Sequence, residues 1–179
     1  VSGEESEGQV KLRAKRLEGK NERCFIYNET ELESVLTQTG VIKPELLIID
    51  SIQTLSSSML ESSAGSVTQV RECAAMMLRY AKESGVPVIL IGHITKDGTL
   101  AGPKVLEHIV DVVLQFEGDG NYLFRILRPV KNRFGSTAEI GIFEMRSKGL
   151  LEVTDPSELF IRRDRDPASG VTIAATVDG

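Results

Sequence analysis

The run Leu46-Leu47-Ile48-Ile49-Asp50 decides the fold. Four consecutive aliphatic residues closed by a carboxylate show no polar–apolar alternation. A strand reads this way when it is covered on both faces, as inside a parallel sheet. A second such run, Val86 to Ile91, ends at Gly92-His93. Parallel neighbours need a crossover, and the intervening sequence supplies one. Ser66 is placed to cap a helix with Gln69 as its reciprocal partner. Val67, Val70, Ala74, Met77, Leu78 and Ala81 hold one helical face, and Gly85 stops it. The methionines read as core filler. Between run and helix, Thr54 to Gly65 is serine-rich and short of apolar anchors, and reads as a mobile loop.

Upstream, Thr30 and Glu33 have capping-box spacing, Leu32, Val35 and Leu36 give a helical face, and Gly40 ends it. Cys24-Phe25-Ile26-Tyr27 reads as a short buried strand. Ser6 and Gln9 form another capping box, followed by Val10, Ala14 and Leu17 at helical intervals. Ser2-Gly3-Glu4-Glu5-Ser6 follows Val1 like the exit from a strand, so the chain is expected to be a piece of something larger. Downstream come a glycine-rich loop and a short helix around Val105 to Ile109. Asp111 to Glu117, Tyr122 to Val130 and Ile140 to Met145 then read as strands joined by hairpin-like turns. The predicted fold class is α/β: a mainly parallel central sheet flanked by helices, with an antiparallel C-terminal extension. Beyond Asp155 the chain turns polar, Arg162 to Asp166 alternates charge, and Val171 to Val177 has strand character. A domain boundary is expected near residue 160, separating 1–160 from 161–179.

The 179 residues are 41% hydrophobic and 26% charged with a net charge of −5, ordinary for a globular protein. No apolar run has membrane-spanning length and no signal-peptide pattern is present. Cys24 and Cys73 are isolated, which argues against a disulfide framework or a zinc site, and a reducing cytoplasm fits. The acidic balance does not announce a nucleic-acid binder. Any such contact must come from a local patch, and the best one is Arg125, Arg128, Lys131 and Arg133, a window without an acid.

Ligands of open α/β sheets bind beyond the carboxyl ends of the strands. Asp50 sits at one such end, in the Walker B arrangement that helps hold Mg²⁺ near nucleotide phosphates; the alternative is an Asp capping the next turn. Glu4 or Glu5, at a neighbouring strand exit, is placed to polarise a water for attack on phosphate. Alternatively, Glu5 and Glu7 simply complement a helix N-terminus. His93, at a third strand end, reads as a phosphate sensor or as a satisfied loop residue, and His108 beside Glu107 as structural. Glu4, Asp50 and His93 are expected on one rim. In Lys131-Asn132-Arg133-Phe134-Gly135 the two cations suit a polyanion, the alternative being a solvated turn. No G-x-x-x-x-G-K-[ST] loop occurs, since Gly19-Lys20 is followed by Asn21; by itself this stretch is expected to bind ATP poorly.

Together Ser2 to Ser6, Leu46 to Gln53, Gly65 to Glu72, Gly92 to His108 and Lys131 to Gly135 resemble the bacterial RadA (Sms) family of DNA-repair ATPases, on the RecA-like fold. The resemblance covers about residues 1 to 161, and Lys-Asn-Arg-Phe-Gly is its most specific part. It implies an ATP- and Mg²⁺-dependent ring motor that loads on single-stranded DNA, promotes branch migration on recombination intermediates and works beside a recombinase. Within it Glu4 would be the catalytic carboxylate, Asp50 the Mg²⁺ partner and His93 the γ-phosphate sensor. Lys131 and Arg133 would reach a neighbouring subunit's nucleotide site. The loops Thr54 to Gly65 and Thr95 to Pro103 would face the DNA channel. Having few apolar groups to offset the entropy of ordering, both are expected to be poorly ordered without DNA. Lys96, Lys104 and Arg128 are expected to meet DNA phosphates, a solvated lysine being the alternative for Lys96. The family's four-cysteine zinc module and phosphate loop are absent, and its Lon-protease-like domain is at most begun in the last 18 residues. A non-hydrolysing RecA-like scaffold is the competing reading. A dehydrogenase is disfavoured because no G-x-G-x-x-G follows a strand.

Overall fold

Helix caps and strand periods act locally, and most act as the residues direct. In the computed structural model, which describes residues 1–17, 22–93, 102–118 and 123–155, the chain divides into the units Val1–Val110 and Asp111–Gly179.

In the first unit Ser6 caps α1 (Glu7–Arg16) with both halves of the capping box made. α2 (Leu32–Ile42) departs from the expected start and stop. Glu31 is its N-cap without a side-chain bond, and the helix runs through Gly40 to a left-handed Lys43. Glu29 Oε1 instead accepts from the N–H groups of Thr30 and Glu31. β1 (Leu47–Asp50) pairs in parallel with β2 (Val88–Ile91), Leu47 opposite Val88. A 3₁₀ turn (Ile52–Thr54) follows β1. α3 (Val67–Ser84) is the crossover, capped by Ser66 and closed by a left-handed Gly85. α4 (Gly102–Ile109) comes last.

Leu32 and Val35 of α2, Val70, Cys73, Ala74 and Met77 of α3, Leu47 and Ile49 of β1, and Ile52 and Leu55 after it form one buried cluster. Met77 is core, as expected. The buried face of α3 is rotated from the apolar reading, with Gln69 and Cys73 inside and Val67 exposed. Burial on β1 alternates although its sequence does not. Leu47 and Ile49 are inside, while Ile48 (42% exposed) and Ile89 of β2 (48%) are open. Among the described residues, helices therefore cover only one face of this sheet. Cys24 to Tyr27 forms no strand, and Phe25 and Ile26 are exposed. Ser2 N–H donates to Tyr27 O at 2.9 Å beside the Ser2–Asn28 bridge, and Tyr27 packs against the buried cluster.

In the second unit β3 (Val112–Gly118), β4 (Phe124–Asn132), β5 (Gly141–Arg146) and β6 (Gly149–Glu152) form one antiparallel meander. β6 lies beyond the three strands expected from the sequence. Its signal was Gly149, whose φ of 117° closes the β5–β6 hairpin in a region L side chains rarely adopt. Among the described residues these four strands pair in the order β3-β4-β5-β6.

Candidate functional site

Parallel strands bring their carboxyl ends to one edge. Asp50 ends β1, and Ile91 ends β2 directly opposite it. Val1 to Gly3 runs alongside: Asp50 N–H donates to Val1 O at 3.0 Å and Gly3 N–H donates to Asp50 O at 2.8 Å. Glu4, Asp50-Ser51 and Gly92-His93 thus follow three adjoining strand exits.

The side chains meet there. Ser51 Oγ donates to Glu4 Oε1 at 2.8 Å, and His93 Nε2 lies 3.4 Å from the same oxygen. Gln53 Nε2 donates to the His93 carbonyl at 3.2 Å, which ties the 3₁₀ turn to the end of β2. Thr54 Oγ1 donates to the Ser51 carbonyl at 2.8 Å. Gly3 is needed for close approach, since a Cβ there would stand 1.9 Å from Thr54 Oγ1. Asp50 itself is exposed at the end of β1, with its carboxylate within electrostatic reach of the Val1 amino group. Glu5 turns away and pairs with Arg13 of α1, so of the two candidate carboxylates Glu4 faces the rim. Ser51, Gln53 and Gly3 escaped the sequence reading; the available signal was their adjacency to Asp50 and Glu4.

The four cations of the window from Arg125 to Arg133 lie in the second unit. Leu114 pairs with Pro129 but Val113 pairs with Lys131, leaving Val130 as an extra residue in β4. The bulge sits beside a proline, which has no N–H to give the ladder. It reverses the alternation, so Arg128 (opposite Gln115) and Lys131 (opposite Val113) share one sheet face. Arg125, opposite Gly118, is on the other. Arg133 Nη1 lies 2.8 Å from Asp111 Oδ1, and its N–H donates to the Asp111 carbonyl at 3.2 Å. Lys131 is a half-buried strand residue, not a turn residue. Lys104 lies in α4; Lys96 and the 162–179 segment fall outside the described residues.

The serine-rich loop departs most from expectation. Gln69, buried on α3, accepts from Ser57 N–H at 3.0 Å and donates to the carbonyls of Ser57 (3.3 Å) and Ser62 (2.8 Å). Glu33 accepts from the Ser57 hydroxyl, and Leu55 is fully buried. Residues 54–63 are therefore a stapled loop rather than a loose one. The Glu33 carboxyl is held below its ordinary range. Burial pushes it up, but the Ser57 hydroxyl and the backbone N–H groups of Glu33 and Ser58 outweigh that. Cys73 has its thiol pushed up to about 11, first by burial, and is an inert core residue.

The chain is 51% identical over all 179 residues to the DNA repair protein RadA of Listeria monocytogenes, 52% to that of Streptococcus pneumoniae and 49% to that of Bacillus subtilis. It belongs to the RadA family. It spans 39%, 43% and 39% of the length of these three relatives. No family model matches it. In three dimensions it resembles the ATPase domain of G40P, with a TM-score of 0.65 at 16% identity over 83% of this chain and 61% of that one. That likeness identifies the fold of this RadA-family chain as RecA-like. Among the described residues no helix is long and apolar enough to cross a membrane.

Proposed function

We propose that this chain supplies the hydrolytic rim of a cytoplasmic, ATP-driven DNA-repair motor that assembles as a ring on single-stranded DNA. One observation carries the reading. Residues 4, 51 and 93, far apart in sequence, converge at adjoining exits of parallel strands, with Asp50 between them.

The donor set suits the γ-phosphate end of a nucleotide. Asp50 offers a hard oxygen ligand for Mg²⁺, which when bound would neutralise charge on the β- and γ-phosphates. The phosphate-loop motif does not occur in these 179 residues, so the cradle for the remaining phosphates is not supplied by them. Glu4 is the base that takes a proton from the attacking water. His93, tethered through its carbonyl by Gln53, donates a hydrogen bond toward a phosphate oxygen. Arg128 and Lys131, on one sheet face, contact DNA phosphates together with Lys96 and Lys104. Lys131 and Arg133 act on the rim of a neighbouring copy. Branch migration of recombination intermediates beside a recombinase, and a lead from residues 161–179 into a Lon-protease-like domain, complete the proposal.

Asp50→Ala in the intact protein is expected to abolish Mg²⁺-dependent ATP turnover while thermal unfolding stays at the parent temperature. Retained turnover removes Asp50 from the mechanism. Mixing Asp50→Ala with Arg133→Ala subunits is expected to restore activity at some interfaces; mixed rings without activity remove the trans role. Arg128→Ala is expected to lower the salt dependence of single-stranded DNA binding by about one phosphate contact. An unchanged slope removes it from the DNA path. The competing reading is a non-hydrolysing RecA-like scaffold. Intact protein that binds DNA but turns over no ATP would establish it.

A further inference from the structure

A carboxylate that serves as a base has two oxygens, and which one faces the water depends on what holds the other. Both donors that reach Glu4 choose the same atom. Ser51 Oγ donates to Oε1 at 2.8 Å, and His93 Nε2 stands 3.4 Å from Oε1. No described hydrogen bond or ion pair engages Oε2. Ser51 is fully buried, and its carbonyl accepts from Thr54 Oγ1 at 2.8 Å and Thr54 N–H at 3.2 Å. Thr54 in turn occupies the space that only a glycine at position 3 leaves open. Gly3 N–H is bonded to the Asp50 carbonyl at 2.8 Å, so both ends of the Ser51–Glu4 hydrogen bond are anchored to the end of β1.

We propose that Ser51 is a positioning residue for hydrolysis: its hydroxyl engages Glu4 Oε1 and thereby presents Oε2 to the attacking water. The hydroxyl has one proton, and donating it to Glu4 fixes the rotation of the carboxylate plane. His93 is the weaker partner of Oε1, so it is the one free to turn toward a phosphate while Ser51 keeps the base in place. The inference rests on the reading of Glu4 as the hydrolytic carboxylate and adds the residue that aims it.

The test is a cycle of four intact proteins: parent, Ser51→Ala, Glu4→Gln and the double variant, each assayed for steady-state Mg²⁺-ATP turnover at protein concentrations that quantify residual rates. Ser51→Ala is expected to lower kcat about ten-fold, the scale of one charge-assisted hydrogen bond, with KM within about two-fold of the parent. In the Glu4→Gln background the same change is expected to cost nothing further, because the group it positions is gone. Ser51→Cys, which puts a slightly larger and weakly donating thiol in place of the hydroxyl, is expected to lie between and replaces Ser51→Ala in the cycle should that variant not fold. The same loss in both backgrounds, or a KM rise with unchanged kcat, overturns the proposal. Glu4→Gln at the parent rate overturns the underlying reading as well, and that outcome is distinct because it involves no change at Ser51.

Discussion

The unit Val1–Val110 buries ten apolar side chains in one cluster, whereas among the described residues of Asp111–Gly179 only Ile142 is buried to that degree. Both are built on sheets, yet the first has helices packed on a face and the second shows Leu114, Phe116, Met145 and Leu150 to solvent. The consequence is a difference in how side chains are held. Side chains at the rim of the first unit are held by a rigid cluster and by each other. Those of the second depend on strand register, a bulge and a surface ion pair.

The largest expected effect lies in the second unit. Arg133→Ala in the intact protein is expected to cut DNA-stimulated ATP turnover by about 10³–10⁵, the range for a cation donated in trans to phosphoryl transfer. Nucleotide binding should stay near the parent value. Asp111→Asn removes only the carboxylate paired with Arg133, and turnover should stay within about three-fold, since half-exposed pairs contribute little. Equal losses from both variants would break the contrast and make Arg133 a clamp on the β3–β4 edge.

Stability gives the next test. Met77→Ala is expected to destabilise the first unit by about 2–5 kcal/mol in urea unfolding, through lost burial and a residual cavity. Leu114→Ala, 56% exposed on β3, should cost about 0.5 kcal/mol or less. Comparable losses would mean that the β3–β6 face is covered in solution. Within the first unit, Gln69→Leu strands the polar groups of Ser57 and Ser62. It should cost about 1–3 kcal/mol for each group left unpaired, with faster hydrogen exchange at the Ser57 amide. Unchanged exchange would mean that Gln69 does not staple the loop.

The smallest effect is a pH dependence. Glu33 has a lowered folded-state value, so its contribution is fully present above the unfolded carboxylate value. It is lost as pH falls through the lowered one. Glu33→Gln should therefore flatten the acid-side loss of stability. A parallel acid slope in parent and variant would remove Glu33 from that linkage.

The legible parts of the sequence were those with short-range causes. The Ser6–Gln9 box, the Ser66 cap, the Gly85 stop and the strand character of residues 47–50 and 88–91 all follow from local period and capping. The Thr30–Glu33 spacing misled because Glu33 is claimed by Ser57, 24 residues away. The serine loop looked loose because its anchor is a buried glutamine on the next helix, and polar residues are seldom inside without such partners. Continuous apolar runs implied cover on both strand faces, yet Ile48 and Ile89 are open among the described residues.

By itself the sequence determined the order strand–helix–strand, the placement of Glu4, Asp50 and His93 after strand exits, and the first three strands of the meander that follows. Each of these depends on residues within a turn or two of one another. Only the tertiary structure decided that Glu4 and not Glu5 faces the rim, that Ser51 and His93 converge on one of its oxygens, and that a bulge at Val130 sets Arg128 and Lys131 on a common face. Those outcomes depend on register and packing between segments as far as 89 positions apart, from Glu4 to His93. Periodicity carries no information about them, because a one-residue change in register reverses every side chain's face while leaving the local pattern intact.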